Sequence, residues 1–283
     1  MKWILGLLIG LFSIDAHAQS SSSSVLWEIS GKELTSPSYL FGTFHMLCAT
    51  DYTMSEVIKQ KLLKSNQLYL EVDITKPGLQ QELMTQMVLT ETSLDKALGT
   101  DFHIADQAFQ KITGLSLSLF KQFKPFVSIS MLALQTLNCP DKIQAETILS
   151  NLAKNAKIRI GGLETVAEQA AAINAEPLDS QITSLKKMIL QFERSKKEMN
   201  ELVRVYQLNN ADSIYAYLQT QSMSTEFEQT MLIRRNRNWI PKMLNAMQSA
   251  PTFFAVGAGH LGGKEGLLVL LKEKGYQLKP LEL

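Results

Sequence analysis

The sequence predicts an α/β protein, with a mixed central sheet, flanking helices and large helical insertions that form a cap. Three observations lead to this fold class. Short apolar runs alternate with segments of helical spacing, which is the pattern of α/β proteins. Two of these runs end in the same motif, Gly-x-x-His, and so indicate buried strands that turn sharply at their carboxyl ends. Two long segments, 78–137 and 178–248, have an almost wholly helical pattern.

The first part of the chain predicts a hairpin, a helix and a strand within a single domain over 25–283. Runs 25–29 and 38–42 are rich in β-branched and aromatic residues and are joined by turn residues, as in a hairpin. Apolar residues at helical spacing follow over 55–65. Alternating apolar residues over 67–74 then predict a strand.

Helices and strands alternate again beyond the first insertion. The pattern predicts a helix over 145–156, a strand over 158–160, a strand over 253–256, a helix over 265–274 and a final strand over 276–278. The two insertions, 78–137 and 178–248, carry long amphipathic stretches with few strand signals. We expect them to pack over the sheet as the cap.

The amino terminus predicts an exported protein. Residues 1–18 contain a lysine, an apolar stretch and an Ala-His-Ala sequence, which together form the pattern of a cleaved signal peptide. Residues 19–24 are mostly serine and are expected to be a flexible leader. Cleavage near Ala18 would leave a periplasmic or extracellular protein. The apolar stretch is too short to span a bilayer, so we expect no stable membrane insertion.

The charge balance excludes nucleic acid as a predicted partner. The formal net charge is +1, from 28 lysines and arginines against 27 aspartates and glutamates. A chain with so even a balance has no basic excess that would attract nucleic acid or an anionic membrane surface.

Three common enzyme motifs are also excluded. The sequence Gly257-x-Gly259-x-x-Gly262 matches the dinucleotide-binding fingerprint, but only 21 residues follow it, too few to complete a nucleotide-binding unit. The chain has neither the His-Glu-x-x-His motif of zinc peptidases nor the Gly-x-Ser-x-Gly elbow of serine hydrolases.

Four predicted strand ends carry side chains that suit a metal site. They are His45, Glu71 together with Asp73, Glu164 and His260. Ligands of open α/β sheets bind at the carboxyl ends of the strands, so we expect these side chains to lie together. Imidazole and carboxylate ligands suit a divalent ion such as Mn, Co or Zn. Such an ion polarises a carbonyl and activates water, with a spare carboxylate as general base.

Each of these candidates also has a structural interpretation. A histidine at a strand end can be a satisfied structural side chain. Glu71 lies between apolar residues and needs a cation when buried, which is either a metal ion or an arginine. Glu164 could instead cap the helix that begins at Thr165.

A basic run lies within the second insertion. The helix predicted over 225–248 carries Arg234–Arg237, and a run of this kind usually covers a solvated face. Helical geometry spreads these residues over all sides, so at least one side chain points inward. We expect Arg235 or Asn236 to face the carboxylates, as a charge partner or an oxyanion donor. His103 follows neither a glycine nor a strand and is expected at the surface.

The chain has two cysteines, Cys48 and Cys139. In an oxidising compartment this pair predicts a disulfide, which would stabilise the fold by about 4 kcal/mol in the chain-entropy model. The alternative is a pair of thiols that bind metal, because Cys48 lies three residues after His45. The absence of a Cys-x-x-Cys spacing favours the disulfide.

Together these motifs resemble the TraB/GumN family, which includes the Tiki metalloproteases of animals and exported bacterial members. The matching stretches are Tyr39–His45, Leu70–Asp73, Gly162–Thr165, Arg235-Asn236 and Ala255–Gly263. The resemblance implies an α/β fold and a divalent-metal hydrolase whose site includes two histidines and a glutamate. Carried over to this chain, they are His45, His260 and Glu71, with Glu164, Arg235 and Asn236 as neighbours. The cysteine pair also resembles one found in some bacterial members, which implies the disulfide.

The sequence therefore predicts an exported hydrolase that depends on a divalent metal and acts on peptide bonds of a peptide or protein substrate. The expected metal ligands are His45, His260, Glu71 and Asp73. The expected catalytic groups are Glu71, Glu164, Arg235 and Asn236. The alternative is a binding protein without turnover, which captures haem or a signalling peptide in the same pocket.

Overall fold

The computed structural model describes residues 23–221 and 225–283. The predicted signal peptide and residues 19–22 of the predicted leader lie outside these ranges. Ser24, which we expected in the leader, is buried, and its hydroxyl donates a hydrogen bond of 2.7 Å to the carbonyl oxygen of Leu281. The ordered domain therefore includes Ser24.

A six-stranded mixed sheet forms the centre of the described domain, which confirms the predicted α/β fold. The strands, in chain order, are β1 Leu26–Ser30, β2 Ser38–Thr43, β3 Leu47–Cys48, β4 Gln67–Leu70, β5 Lys142–Ile143, β6 Arg159–Gly162, β7 Thr252–Gly257 and β8 Gln277–Pro280. The order across the sheet is β6-β4-β7-β2-β1-β8. β6, β4, β7 and β2 are parallel, and β1 is antiparallel to both of its neighbours.

The two central strands, β2 and β7, are buried along their whole length. Successive side chains of a strand point to opposite faces of the sheet. Phe41 and Phe253 accordingly pack in the core on one face, whereas Leu40 and Phe254 pack in the core on the other. Burial on both faces explains why these strands read as continuous apolar runs in the sequence.

Helices cover both faces of the sheet. In chain order they are α1 Glu56–Leu63, α2 Leu79–Gln86, α3 Leu94–Leu98, α4 Phe102–Thr113, α5 Pro125–Thr136, α6 Ala145–Asn155, α7 Val166–Asn174, α8 Leu178–Leu190, α9 Phe192–Gln207, α10 Ala211–Thr220, α11 Thr225–Glu228, α12 Arg234–Ser249 and α13 Leu267–Glu273. Helices α1 and α6 pack on one face, and α12 and α13 contribute to the core of the other. Within the described ranges, no helix has the length and apolar character needed to cross a membrane.

Helices α2 to α5 occupy the segment expected to be the first helical insertion, and α8 to α12 occupy the second. In the first insertion, α3, α4 and α5 build a separate apolar core with α8, around Phe109, Leu132 and Leu185. In the second, α9 and α10 pack over the turns that follow β2 and β7, and Tyr206 of α9 donates a hydrogen bond to the Gly42 carbonyl oxygen. The second insertion therefore covers the strand ends.

The helix expected over 225–248 is interrupted. A π-helical turn, Gln229–Ile233, joins α11 to α12 directly before Arg234 and Arg235. Single π turns of this kind occur often at functional sites, because they change the direction in which the following side chains point.

Cys48 and Cys139 form the predicted disulfide. It lies beside a small second sheet that the sequence does not reveal, in which β3 pairs antiparallel with β5, Leu47 opposite Ile143 and Cys48 opposite Lys142. The disulfide and this ladder join the segment after β2 to the start of α6.

The strand expected over 67–74 is shorter in the structure. β4 ends at Leu70, and residues 71–74 form a turn. The backbone still follows β6 for one more residue, because the Glu164 N–H donates to the Glu71 carbonyl oxygen at 2.8 Å. Glu71 therefore keeps its place at the strand end, whereas Asp73 moves into the turn.

Candidate functional site

The carboxyl ends of the four parallel strands bring predicted site residues to one edge of the sheet. His45 follows β2, Glu71 follows β4, Glu164 follows β6 and His260 follows β7. Helix α12 places Arg235 beside the two glutamates. The Oε1 atom of Glu71 lies 3.7 Å from Nε2 of His260.

Arg235 lies at the centre of a buried ion cluster. Its Nη2 is 2.6 Å from Glu71 Oε2 and 2.7 Å from Glu164 Oε1, and its Nε also donates to Glu164. Its Nη1 donates to the Met231 carbonyl oxygen and to Nε2 of His260, at 3.0 and 3.2 Å. Every N–H group of the guanidinium is therefore used inside the protein, so Arg235 can act on a ligand only through its charge.

Trp239 contacts both Arg235 and Glu164. The Arg235 Cζ atom lies 4.8 Å from the centroid of its ring, and the indole N–H donates to Glu164 Oε2 at 3.1 Å. Glu164 is thus held by an arginine and a tryptophan. The helix-capping role belongs to the next residue, because the Thr165 side chain accepts from the Glu168 N–H in a capping box.

Glu71 is buried and ionised. Burial by itself raises the pKa of this carboxyl group. The positive charges of Arg235, His45 and, when protonated, His260 outweigh burial and lower the pKa to about 2. The Gly257 N–H also donates to Glu71 Oε1, at 2.7 Å. The structure thus gives Glu71 the arginine partner that a buried carboxylate needs.

His260 is buried and neutral. Asn236 uses its amide N–H groups on the carbonyl oxygens of His260 and Glu265, so its Oδ1 accepts from Nδ1 of His260 at 2.7 Å. This network assigns the proton to Nδ1 and leaves the lone pair of Nε2 facing Arg235 and Glu71. Burial, with the charges of Arg235 and His45, lowers the pKa of His260 to about 3.

His45 is the exposed member of the site, with 69% of its side chain accessible. Its Nδ1 lies 2.9 Å from Oε1 of Glu146. Desolvation lowers the pKa of His45, but the hydrogen bond to Glu146 and the charges of Glu71 and Glu146 outweigh it and raise the pKa to about 9. The sequence did not single out Glu146, because an acid in the first turn of a helix is ordinary.

Gly257 leaves an open space between two of the candidate ligands. A Cβ atom built at Gly257 would lie 3.2 Å from Glu71 Oε1 and 3.3 Å from His45 Nε2. The carboxylate oxygen and the imidazole nitrogen therefore face the same small volume, which only a glycine keeps free at this position.

Asp73 is not brought to this space. Its Oδ1 accepts hydrogen bonds from the backbone N–H and the hydroxyl of Thr75, at 2.9 and 2.7 Å. The early end of β4 explains this difference from the expected arrangement, because Asp73 lies in a turn rather than on the strand. His103 is exposed on α4 and contacts Gln107, away from the other histidines.

The types of donor atom in the site suit a divalent ion. Over the described residues, no three His, Cys, Asp or Glu side chains are arranged as a ready metal-binding group. Glu71 Oε1 lies 3.7 Å from His260 Nε2, and it faces the space at Gly257 that His45 Nε2 also faces. Imidazole nitrogens with a carboxylate oxygen are a donor set that suits Mn, Co and Zn.

If the space at Gly257 holds a divalent ion, Gly257→Ala should weaken binding of Mn, Co or Zn by at least about 10-fold, the usual size of the loss when the surroundings of a ligand are disturbed. The new Cβ would press on Glu71 Oε1 and His45 Nε2. The backbone φ of Gly257 is −52°, which alanine adopts freely, so the free energy of unfolding should change by less than about 1 kcal/mol. Isothermal titration with each metal and urea denaturation measure the two effects.

The matched control is Gly259→Ala in the same turn. A Cβ there meets the flexible end of Leu218, 2.9 Å away, rather than a candidate ligand. Equal metal affinity in Gly257→Ala and Gly259→Ala would contradict a role for the space at Gly257.

The fold and the site define an α/β protein with a histidine- and glutamate-lined site at the carboxyl edge of its sheet. The chain belongs to the TraB/PrgY/gumN family, whose family model matches residues 25–280. The match spans all strands of the central sheet and both insertions, and it confirms the resemblance seen in the sequence motifs.

Several named relatives are metalloproteases. The chain is 21% identical to Metalloprotease TIKI2 of Danio rerio, 23% identical to Metalloprotease TIKI1 of Xenopus tropicalis and 21% identical to Metalloprotease TIKI1 of Homo sapiens. These matches cover 92–93% of this chain but 62% of each relative, so the chain spans about three-fifths of their length. No solved structure matches this chain.

Proposed function

We propose that this protein is a hydrolase that depends on a divalent metal and cleaves peptide bonds at the strand-edge site. The observation that carries the proposal is the shared space at Gly257, which His45 Nε2 and Glu71 Oε1 face together. The family relationship supports it, because relatives with the name metalloprotease align over more than nine-tenths of this chain.

The contacts of each side chain suggest its role. His45, Glu71 and His260 would hold the ion, which when bound would polarise a peptide carbonyl and lower the pKa of a water molecule. Asn236 sets the tautomer in which Nε2 of His260 carries a lone pair. This lone pair accepts a hydrogen bond from Arg235 Nη1 in the structure, and ligation of the ion would take the place of that bond. Glu164 and Trp239 hold Arg235, whose positive charge would stabilise negative charge that develops on the substrate.

Asp73 has no role in this proposal as a ligand, because its carboxylate is bonded to Thr75. Glu164 is likewise proposed as the residue that holds Arg235 rather than as the general base. Both assignments follow from the contacts that the two carboxylates make within the protein.

A cavity beside the ion cluster suits one side chain of a bound peptide. It has a volume of about 270 Å³ and lies between α7 and α12, with Glu164, Arg235 and Trp239 in its wall. Pockets that enclose a whole drug-sized ligand usually measure about 300–1,000 Å³. We propose that this smaller cavity takes one peptide side chain, on a side of Arg235 that His45, Glu71 and His260 do not line.

An exported location is part of the proposal. The disulfide between Cys48 and Cys139 supports it, because structural disulfides persist in oxidising compartments such as the periplasm or the extracellular space.

The proposal is tested by His45→Ala with His103→Ala as the matched control. Loss of a residue that only orients a metal ligand lowers metal affinity by about 10- to 100-fold. Removing His45, a proposed ligand, should lower it by more than this. It should also abolish cleavage of a peptide library. His103→Ala should behave as the wild type, since His103 is exposed on α4, where its ring is hydrogen-bonded to Gln107.

Metal content by mass spectrometry and peptide cleavage by chromatography are the measurements. In the wild type, a chelator should stop cleavage, and Mn, Co or Zn should restore it. Cleavage that resists the chelator, or equal metal content in His45→Ala and the wild type, would overturn the proposal.

A further inference from the structure

Glu146, in the first turn of α6, is directed at the Gly-x-x-His turn after β2. Its Oε1 accepts a hydrogen bond of 2.6 Å from the Thr43 hydroxyl and lies 2.9 Å from Nδ1 of His45. The Glu146 side chain is 15% accessible and that of His45 is 69% accessible, so the bond to Thr43 is the more buried of the two contacts. The carboxylate caps no N–H group of its own helix, which leaves His45 and Thr43 as its partners.

This contact decides which nitrogen of His45 faces the space at Gly257. A carboxylate accepts hydrogen bonds and cannot donate them, so the shared proton belongs to Nδ1. The ring is thereby oriented with Nε2 near Gly257 and Glu71. Outer carboxylates that orient a histidine in this way are a general feature of metal sites.

Glu146 and His45 lie on segments that are remote in sequence and joined by two links. The first is the β3–β5 ladder, in which Leu47 lies opposite Ile143. The second is the disulfide between Cys48 and Cys139. His45 comes two residues before the ladder on one strand, and Glu146 comes three residues after it on the other. The links therefore set the distance between the two side chains.

We propose that Glu146 is a positioning residue that fixes the ring of His45 for ligation through Nε2, and that the Cys48–Cys139 disulfide holds Glu146 in place. The proposal rests on the proposed function, in which His45 binds the metal. Thr43 contributes by anchoring the same carboxylate oxygen, so that Glu146 is held from both sides of the turn.

Glu146→Gln tests the role of the carboxylate. Glutamine has the same length, but its amide cannot reproduce the charge-assisted bond to Nδ1. Metal affinity should fall by about 10- to 100-fold, while the melting temperature measured with a chelator stays within about 3 °C of the wild type. Glu56→Gln is the control, because Glu56 is 74% exposed and pairs only with Lys59. Unchanged affinity in Glu146→Gln would overturn the proposal.

A spectroscopic measurement separates positioning from a general structural role. Long-range ¹H–¹⁵N spectra of histidine-labelled protein, assigned with His45→Ala, report the proton on each ring nitrogen. The wild type and Glu56→Gln should show a proton on Nδ1 of His45 that is hydrogen-bonded to Glu146, and Glu146→Gln should lose this signal. Loss of the same signal in Glu56→Gln, or its retention in Glu146→Gln, would contradict the proposal.

The role of the disulfide is tested by combining Cys48→Ser and Cys139→Ser with Glu146→Gln. If the disulfide acts through Glu146, the two changes are not additive, and the cysteine variant loses less affinity in the Glu146→Gln background. Independent, additive losses would refute this part. Thr43→Val removes the hydroxyl that holds the Glu146 carboxylate from the other side, and it should lower metal affinity less than Glu146→Gln does. This variant replaces the cysteine variant in the test if the cysteine variant does not fold.

The experiments also distinguish failure of this proposal from failure of the proposed function. If the wild type takes up no Mn, Co or Zn, the proposed function fails. The spectra that report the Nδ1 proton of His45 are recorded without metal. They therefore still test whether Glu146 positions the ring.

Discussion

Arg235→Leu is expected to lower the free energy of unfolding by about 3–5 kcal/mol, the usual cost of removing one partner from a buried ion cluster. Glu71 and Glu164 would remain buried without the guanidinium that both now contact. Nε2 of His260 would also lose the hydrogen bond that it accepts from Arg235. Urea denaturation followed by circular dichroism measures the change.

The control for this prediction is Arg237→Leu, two residues further along α12. Arg237 pairs with Glu265 at the surface, where such a bond contributes about 0–1 kcal/mol. Arg235→Lys should not restore stability, because a single ammonium group cannot reproduce the bonds that the guanidinium makes to two carboxylates. A loss below about 1 kcal/mol for Arg235→Leu would show that the cluster is less important to the fold than its burial indicates.

Replacing both cysteines, as Cys48→Ser with Cys139→Ser, is expected to lower the free energy of unfolding by about 2–5 kcal/mol. The disulfide joins residues 91 positions apart, so its loss gives the unfolded chain much more freedom. Both sulfurs lie in or against the core around Leu47.

Thermal unfolding with and without a reducing agent measures this effect. The wild type should lose stability on reduction, whereas the serine variant should show the same unfolding transition in both conditions. An equal response of the two proteins to the reducing agent would assign the change to another cause.

The sequence predicted which residues follow the parallel strands at one edge of the sheet, because buried parallel strands are readable as apolar runs. The runs that end at Gly42 and Gly257 are long enough to identify β2 and β7. Once these strands and β4 and β6 were assigned to one sheet, the residues that follow them had to meet at one edge. The placement of His45, Glu71, Glu164 and His260 followed from topology rather than from any local motif.

The rest of the site depends on contacts that local sequence does not contain. Val72 continues the apolar alternation of β4, so nothing in the pattern shows that the strand ends at Leu70. It is this early end that places Asp73 in a turn, away from the other candidate residues. Glu146 resembles any acid in the first turn of a helix until the β3–β5 ladder brings it to His45. The sequence identified Arg235 and Asn236 as candidates, but the structure was needed to show that one contacts the carboxylates and the other His260.

The cluster around Arg235 ties together four parts of the chain that are distant in sequence, and this has a consequence for the motions of the site. Local opening of any one strand end would separate a charged group from its partner and leave that partner buried and unpaired. Partial opening is therefore unfavourable. The sheet edge with the proposed metal ligands should therefore open only when the whole domain unfolds, in contrast to binding sites on mobile loops. Such a site is preorganised, and a substrate would meet the same geometry at every encounter.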